Sequence, residues 1–207
     1  GRAASLFDHH GEPRKQPDNA NRKVRALMNS NVQKGQESLD QAWLSAPEPG
    51  WRLVDFQNLM GGDVVERAKF VSDDQGDRIS SAYFWDPVQN QLRAKFWFGP
   101  QAQGPPGHVH GGAMAAVMDE VMGGACWGAG NQVLAAEINV HFRDKLPLRT
   151  RCIAKGEVVS IEGRRVSARA QLVTVAGDLV CESTGTFIQL SSDQMSGLLA
   201  ASSGAPA

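Results

Sequence analysis

The stretch GPPGHVHGGAMAAVMDEVMGG, residues 104–124, sets two histidines, a glycine pair and two adjacent acids in an otherwise apolar run. A carboxylate among apolar neighbours is costly unless it is paired or put to use. Gly111 and Gly112 follow GPPG, which forbids regular structure, and open a run that reads as one helix to about Cys126. A helix start presents unpaired N–H groups and partial positive charge, and glycine lets a ligand reach that backbone. A carbonyl oxygen becoming an oxyanion suits such a place. Asp119 could then serve as general base or nucleophile.

Eight residues of helix separate Gly111 from Asp119 by about 12 Å at 1.5 Å per residue, whereas reacting groups must lie within roughly 3 to 3.5 Å. Two antiparallel copies of the helix across a two-fold axis would bring one chain's glycine to the other's aspartate. A homodimer with shared sites, or a dimer of dimers, is therefore expected. Glu120 sits about 100° further round the helix and points elsewhere. Gly112, Ala115, Ala116 and Gly123 lie near Asp119 as a stripe of small side chains that leaves space for a substrate.

Other chemistries fit less well. His108 and His110 precede a helix whose acids begin more than two turns later, while metal sites need three or four converging ligands; no metal is expected. There is no G-x-S-x-G, and Cys126 has no evident base.

These residues need elements to position them. A helix is expected between Ala20 and Leu44, and Pro47, Pro49 and Gly50 then end an N-terminal extension, residues 1–50, that is partly helical or disordered. Residues 51–192 form the main domain, and the serine-, glycine- and alanine-rich tail, 193–207, is expected to be disordered. ISSAYFWDPV and QLRAKFWFG read as strands around a tight turn at Pro87 to Asn90. After the helix come VLAAEINVHF, RCIAKGEVVSIE, RVSARAQLVTV and LVCESTGTFIQL, separated by turn signals. The class is α+β: about six antiparallel strands wrapped around one apolar helix.

With a formal charge of −1 the chain lacks the basic excess of a nucleic-acid binder, and no run approaches the roughly 18 apolar residues of a membrane span. Cys126, Cys152 and Cys181, odd in number and within regular segments, suit unpaired core thiols in a reducing intracellular compartment. Asp8 and Glu12 weigh against a transit peptide at the opening GRAASLFDHHGEPRKQ, which leaves cytoplasm and mitochondrion both open.

The combination of Phe98-Gly99-Pro100, Gly104-Pro105-Pro106-Gly107, Val109-His110-Gly111-Gly112, an aspartate nine residues after the histidine, and INVHFRDKLPL resembles the acyl-CoA thioesterases of the hotdog fold. The likeness is to mammalian mitochondrial thioesterase superfamily members and to the phenylacetate-degradation type. It implies hydrolysis of acyl-CoA with no cofactor beyond the coenzyme A of the substrate. In that family the N–H of the first glycine polarises the thioester carbonyl and the aspartate acts from the other subunit, roles that fall on Gly111 and Asp119, with His110 positioning the carbonyl or the loop and Gly112 beside it. The family gives Glu120 no role. Arg143 and Lys145, after the strand beside the helix, are expected to meet the coenzyme's phosphates. Ala135 stands where relatives often carry threonine or serine, and Glu137, two residues on and so expected on the same strand face, would compensate. His141 is expected on an outward or partly buried strand face rather than in a site. A hotdog-fold enoyl-CoA hydratase or dehydratase, or a non-catalytic acyl-CoA-binding module, remains an alternative.

Overall fold

The computed structural model describes residues 40, 42–55, 70–72 and 77–202. Most of the helix expected between Ala20 and Leu44 lies outside the described residues. From Ala42 onward the chain forms one compact body. Its strands are β1 (Arg52–Val54), β2 (Ile79–Asp86), β3 (Gln91–Phe98), β4 (Val133–Phe142), β5 (Arg151–Glu162), β6 (Arg165–Thr174) and β7 (Leu179–Gln189), with helix α1 at Gly111–Gly128 and α2 at Ser192–Ser202.

The strands form one antiparallel sheet in the order β1-β2-β3-β5-β6-β7-β4. Six are those read from the sequence; β1 makes a seventh, its three residues being too few to show a period. Alternation fixes which face is inward. In β6, Val166, Ala168, Ala170 and Leu172 are buried while Arg165, Ser167 and Arg169 face out. The inward face receives α1, whose Val117, Met118, Val121 and Met122 are fully buried. At Gly156 a side chain is impossible, because a Cβ there would lie 2.6 Å from the Val121 carbonyl oxygen. Helix and sheet meet closely at this point. Cys126, Cys152 and Cys181 are buried and free, and burial pushes each thiol up to about 12, with Cys181 adding to the shift at Cys152.

The tail expected to be disordered is helical over Ser192–Ser202. A capping box explains it: the Ser191 hydroxyl accepts from the Gln194 N–H at 3.2 Å, and the Gln194 side chain accepts from the Ser191 N–H at 2.9 Å.

The outward face of β3 carries a buried cation. Lys95 is 1% exposed, and its Nζ donates to the Trp43 carbonyl at 3.3 Å, the Ala46 carbonyl at 2.7 Å and the Glu48 carboxylate at 2.7 Å. The Trp43 ring lies 4.9 Å from the same ammonium, a favourable cation–π contact. Residues 42–50, assigned by sequence to the extension, thus supply the acceptors of a sheet residue. Among the described residues no helix is long and apolar enough to cross a membrane.

Candidate active site

The start of α1 is built by the loop before it. Gly104 lies against His110, with room for no side chain: a Cβ would be 2.8 Å from the His110 Cα. The His110 N–H donates to the Ala102 carbonyl and the Val109 N–H to the Leu146 carbonyl, both at 2.8 Å. His110 then caps the helix: its Nδ1 accepts from the Gly112 N–H at 2.9 Å, and its carbonyl accepts from Ala113 and Met114 at 3.0 and 3.3 Å. An accepting Nδ1 places the ring proton on Nε2. Three of the four donors of the first turn are thereby satisfied. The Gly111 N–H is the one left without an acceptor among the described residues.

Gly111 lines a groove of about 700 Å³ with Met114, Phe142, Arg143 and Lys145 among others. The groove owes its shape to pairing between two loops, since the Leu148 N–H donates to the Gly107 carbonyl at 3.0 Å and Val109 to Leu146. The connection after β4 is thus held beside the helix start, and its two cations with it. Arg143 is oriented by a carboxylate, its Nε donating to Glu182 at 3.0 Å; hydrogen bonds from Arg143 and Gln171 hold the Glu182 carboxyl below the usual range. Gly112, His110, Ala113 and Ala116 line a second groove, of about 240 Å³, on the other side of the helix start.

Asp119 does not line either groove of its own chain. It is half-buried on α1, has no hydrogen-bond partner among the described residues, and burial raises its carboxyl above the ordinary carboxylate range. Glu120 is paired: the Tyr83 hydroxyl donates to its carboxylate. Burial, and then the charge of Glu120, push the Tyr83 hydroxyl well above its ordinary value.

The strand after the helix departs from simple alternation. Ala135 pairs with Phe187, but a bulge intervenes and Glu137 pairs with Thr186. Phe187 is 2% exposed and touches the helix side at Gly123, whereas Glu137 lines an outer-face hollow with Thr184 and Thr186. Ala135 and Glu137 therefore fall on opposite faces, correcting the expectation that they share one; the extra residue at the bulge inverts the alternation. His141 lies outward, in register with Glu182. His108 lines the same groove as Gly111 and Met114, its Nδ1 2.9 Å from the Pro106 carbonyl oxygen, and among the described residues no three His, Cys, Asp or Glu side chains converge.

Two neighbours of the site were not singled out by sequence. The Phe142 ring sits about 3.5 Å from where a Gly111 Cβ would lie; an aromatic ending an exposed strand just before Arg143 was the available signal. Tyr83, the chain's single tyrosine, gave no sign of its partner 37 residues away.

Residues 106–181 match the Thioesterase superfamily. The acyl-coenzyme A thioesterase THEM4 of Xenopus laevis is 31% identical over 120 residues, covering 57% of this chain and 54% of that protein. THEM4 of Bos taurus is 34% identical over 102 residues, covering 49% and 42%. The chain spans about half the length of these curated relatives. A thioesterase superfamily protein of known crystal structure superposes with a TM-score of 0.56 at 23% identity, covering 85% of this chain and 82% of that one. The sheet around a central helix is the hotdog fold, as the sequence motifs implied.

Proposed function

We propose that the protein hydrolyses acyl-CoA thioesters to a free acid and coenzyme A, as a homodimer in which each site draws on both chains. The observation that carries this reading is the Gly111 N–H, free of any acceptor among the described residues, on a residue that lines a groove together with Arg143 and Lys145. The thioester oxygen would accept from that N–H, and the charge it gains on attack would be met by a donor and helix end already in place. Arg143 and Lys145 would hold phosphates of the carrier. Asp119 of the partner subunit would take the proton of the attacking water, or itself attack to give an anhydride that water opens. Collapse of the tetrahedral adduct breaks the C–S bond and expels the thiolate, which takes its proton from Asp119 on the first route and from water on the second.

The shared site needs a second copy, and β4 supplies a place for it. This strand ends the sheet order with one edge unpaired, a surface that natural proteins cover or blunt. Leu134, Ile138 and Phe142 on it are 51%, 39% and 51% exposed. Pairing β4 with its symmetry mate would cover this apolar edge and set the two α1 helices side by side. The Ile138→Lys protein should sediment as a monomer and lose about 100-fold or more of its turnover; a dimeric, active Ile138→Lys protein would place the interface elsewhere.

The direct test is free-thiol release from short, medium, long and aromatic acyl-CoAs. Release from at least one of them is expected. Binding of acyl-CoA without release from any would favour the non-catalytic module, and addition of water to an enoyl-CoA the hydratase.

A further inference from the structure

The apolar helix carries two adjacent acids, and the proposed reaction uses one. The other belongs to a set of contacts that fixes how the helix is turned. Asp119, Glu120, Val121 and Met122 make one turn of α1. Three of the four are gripped by three different strands. Glu120 accepts from the Tyr83 hydroxyl of β2. Val121 lies over Gly156 of β5. Met122 meets β7, where its sulfur is 3.4 Å from the Ser183 hydroxyl and its methyl 3.2 Å from the position of a Gly185 Cβ. Asp119 alone is held by none of these strands.

The grips differ in kind. Val121 makes dispersion contacts, which are non-directional and tolerate small rotations of the helix, and Met122 adds a weak hydrogen bond, its thioether sulfur accepting from the Ser183 hydroxyl. The Tyr83–Glu120 hydrogen bond is directional and involves a charged acceptor. Its donor is rigidly seated: Tyr83 is 3% exposed, in register with Val54 of β1 and Ala94 of β3, and its ring meets Phe96 edge-on at 5.9 Å. Glu120 is about 100° from Asp119 around the axis, so fixing one fixes the direction of the other.

We propose that Tyr83 is a positioning residue that acts through Glu120 to set the rotation of α1 and so aim Asp119 at the site shared with the partner subunit. This rests on the thioesterase reading for its kinetic consequence. Misplacing a reacting group by 1 Å can cost about 10²-fold in rate, and a partial rotation should cost less. Tyr83→Phe and Glu120→Ala should each lower kcat about tenfold, within the range set by that sensitivity, while changing KM less than about twofold, because neither residue lines the Gly111 groove. The double variant should be no slower than either single one, since both remove the same bond. Glu120→Gln keeps an acceptor oxygen for Tyr83 and should restore most of the rate.

The same variants report without turnover. In protein labelled with ¹³C at aspartate carboxyls, the Asp119 resonance should move in Tyr83→Phe and stay near its wild-type position in Glu120→Gln. A folded Tyr83→Phe protein with wild-type kcat and an unmoved Asp119 resonance would overturn the proposal, as would a Glu120→Gln protein no better than Glu120→Ala. If the wild type releases no thiol from any acyl-CoA, the thioesterase reading fails by itself, and the Asp119 resonance in Tyr83→Phe still decides this one.

Discussion

Asp119→Ala should lower kcat for the best acyl-CoA by about 10³-fold, in the range expected for loss of a general base. The half-buried carboxyl has no partner among the described residues, so its removal breaks no bond that the fold needs. Wild-type activity should also fall as the solution is acidified, beginning above the ordinary carboxylate range, because burial raises the carboxyl and only its ionised form can accept a proton. Linkage gives stability the opposite trend. A carboxyl raised in the folded state stabilises it below the unfolded value, and that contribution is lost as pH rises through the folded one. At neutral pH the ionised acid is therefore a burden on the fold. Asp119→Asn should melt no lower than wild type there while being nearly inactive, and a well-folded Asp119→Ala enzyme with full turnover would remove this residue from the mechanism.

Gly111→Pro should cost about 10²- to 10³-fold in kcat, the effect of deleting one oxyanion donor. Proline is well suited to this position. It is favoured at the first helical residue, where its missing N–H has no helical partner. The residue before it must be extended, and His110 already is, with φ −66° and ψ 134°. The nearest atoms to a Cβ at Gly111 are those of the Phe142 ring, at 3.5 Å, an ordinary contact. The substitution replaces the N–H hydrogen with the ring Cδ, so the donor is lost and a methylene stands where the carbonyl oxygen would sit. Circular dichroism and sedimentation should match wild type; an unimpaired Gly111→Pro enzyme would show that the carbonyl is polarised elsewhere.

Much of this arrangement was legible in the sequence because it rests on local signals. Period-two patterning located β2 to β7, and GPPG followed by HGG located the helix start. The distance from Gly111 to Asp119 along one helix argued for two chains. What escaped depends on contacts far apart in sequence or on single-residue irregularities. Alternation cannot register an extra residue, so the bulge that parts Ala135 from Glu137 was invisible. Glu120 read as an acid without a role because its partner lies two elements earlier, on β2. In QLRAKFWF, Lys95 occupied a position that alternation assigns to solvent, and only the packing of residues 42–48 explains why it is buried.

That last feature bears on where the chain can be cut. The Pro-Gly break before Trp51 looks like a natural place to begin a shortened protein, yet a chain starting there would lose Trp43, Ala46 and Glu48, every acceptor that holds the Lys95 ammonium among the described residues. The Glu48 side chain is 44% exposed, and the segment that carries these acceptors also covers the ammonium, so its removal opens both the charge and the outer face of β3 around Trp43 to water. A fragment beginning at Trp51 should therefore melt below one beginning at Ala42, because it loses the hydrogen bonds and the Trp43 contact made by this segment. The nine residues ahead of the sheet act as a counterion carried in the chain, so the smallest self-sufficient gene fragment begins at the tether and not at the first strand.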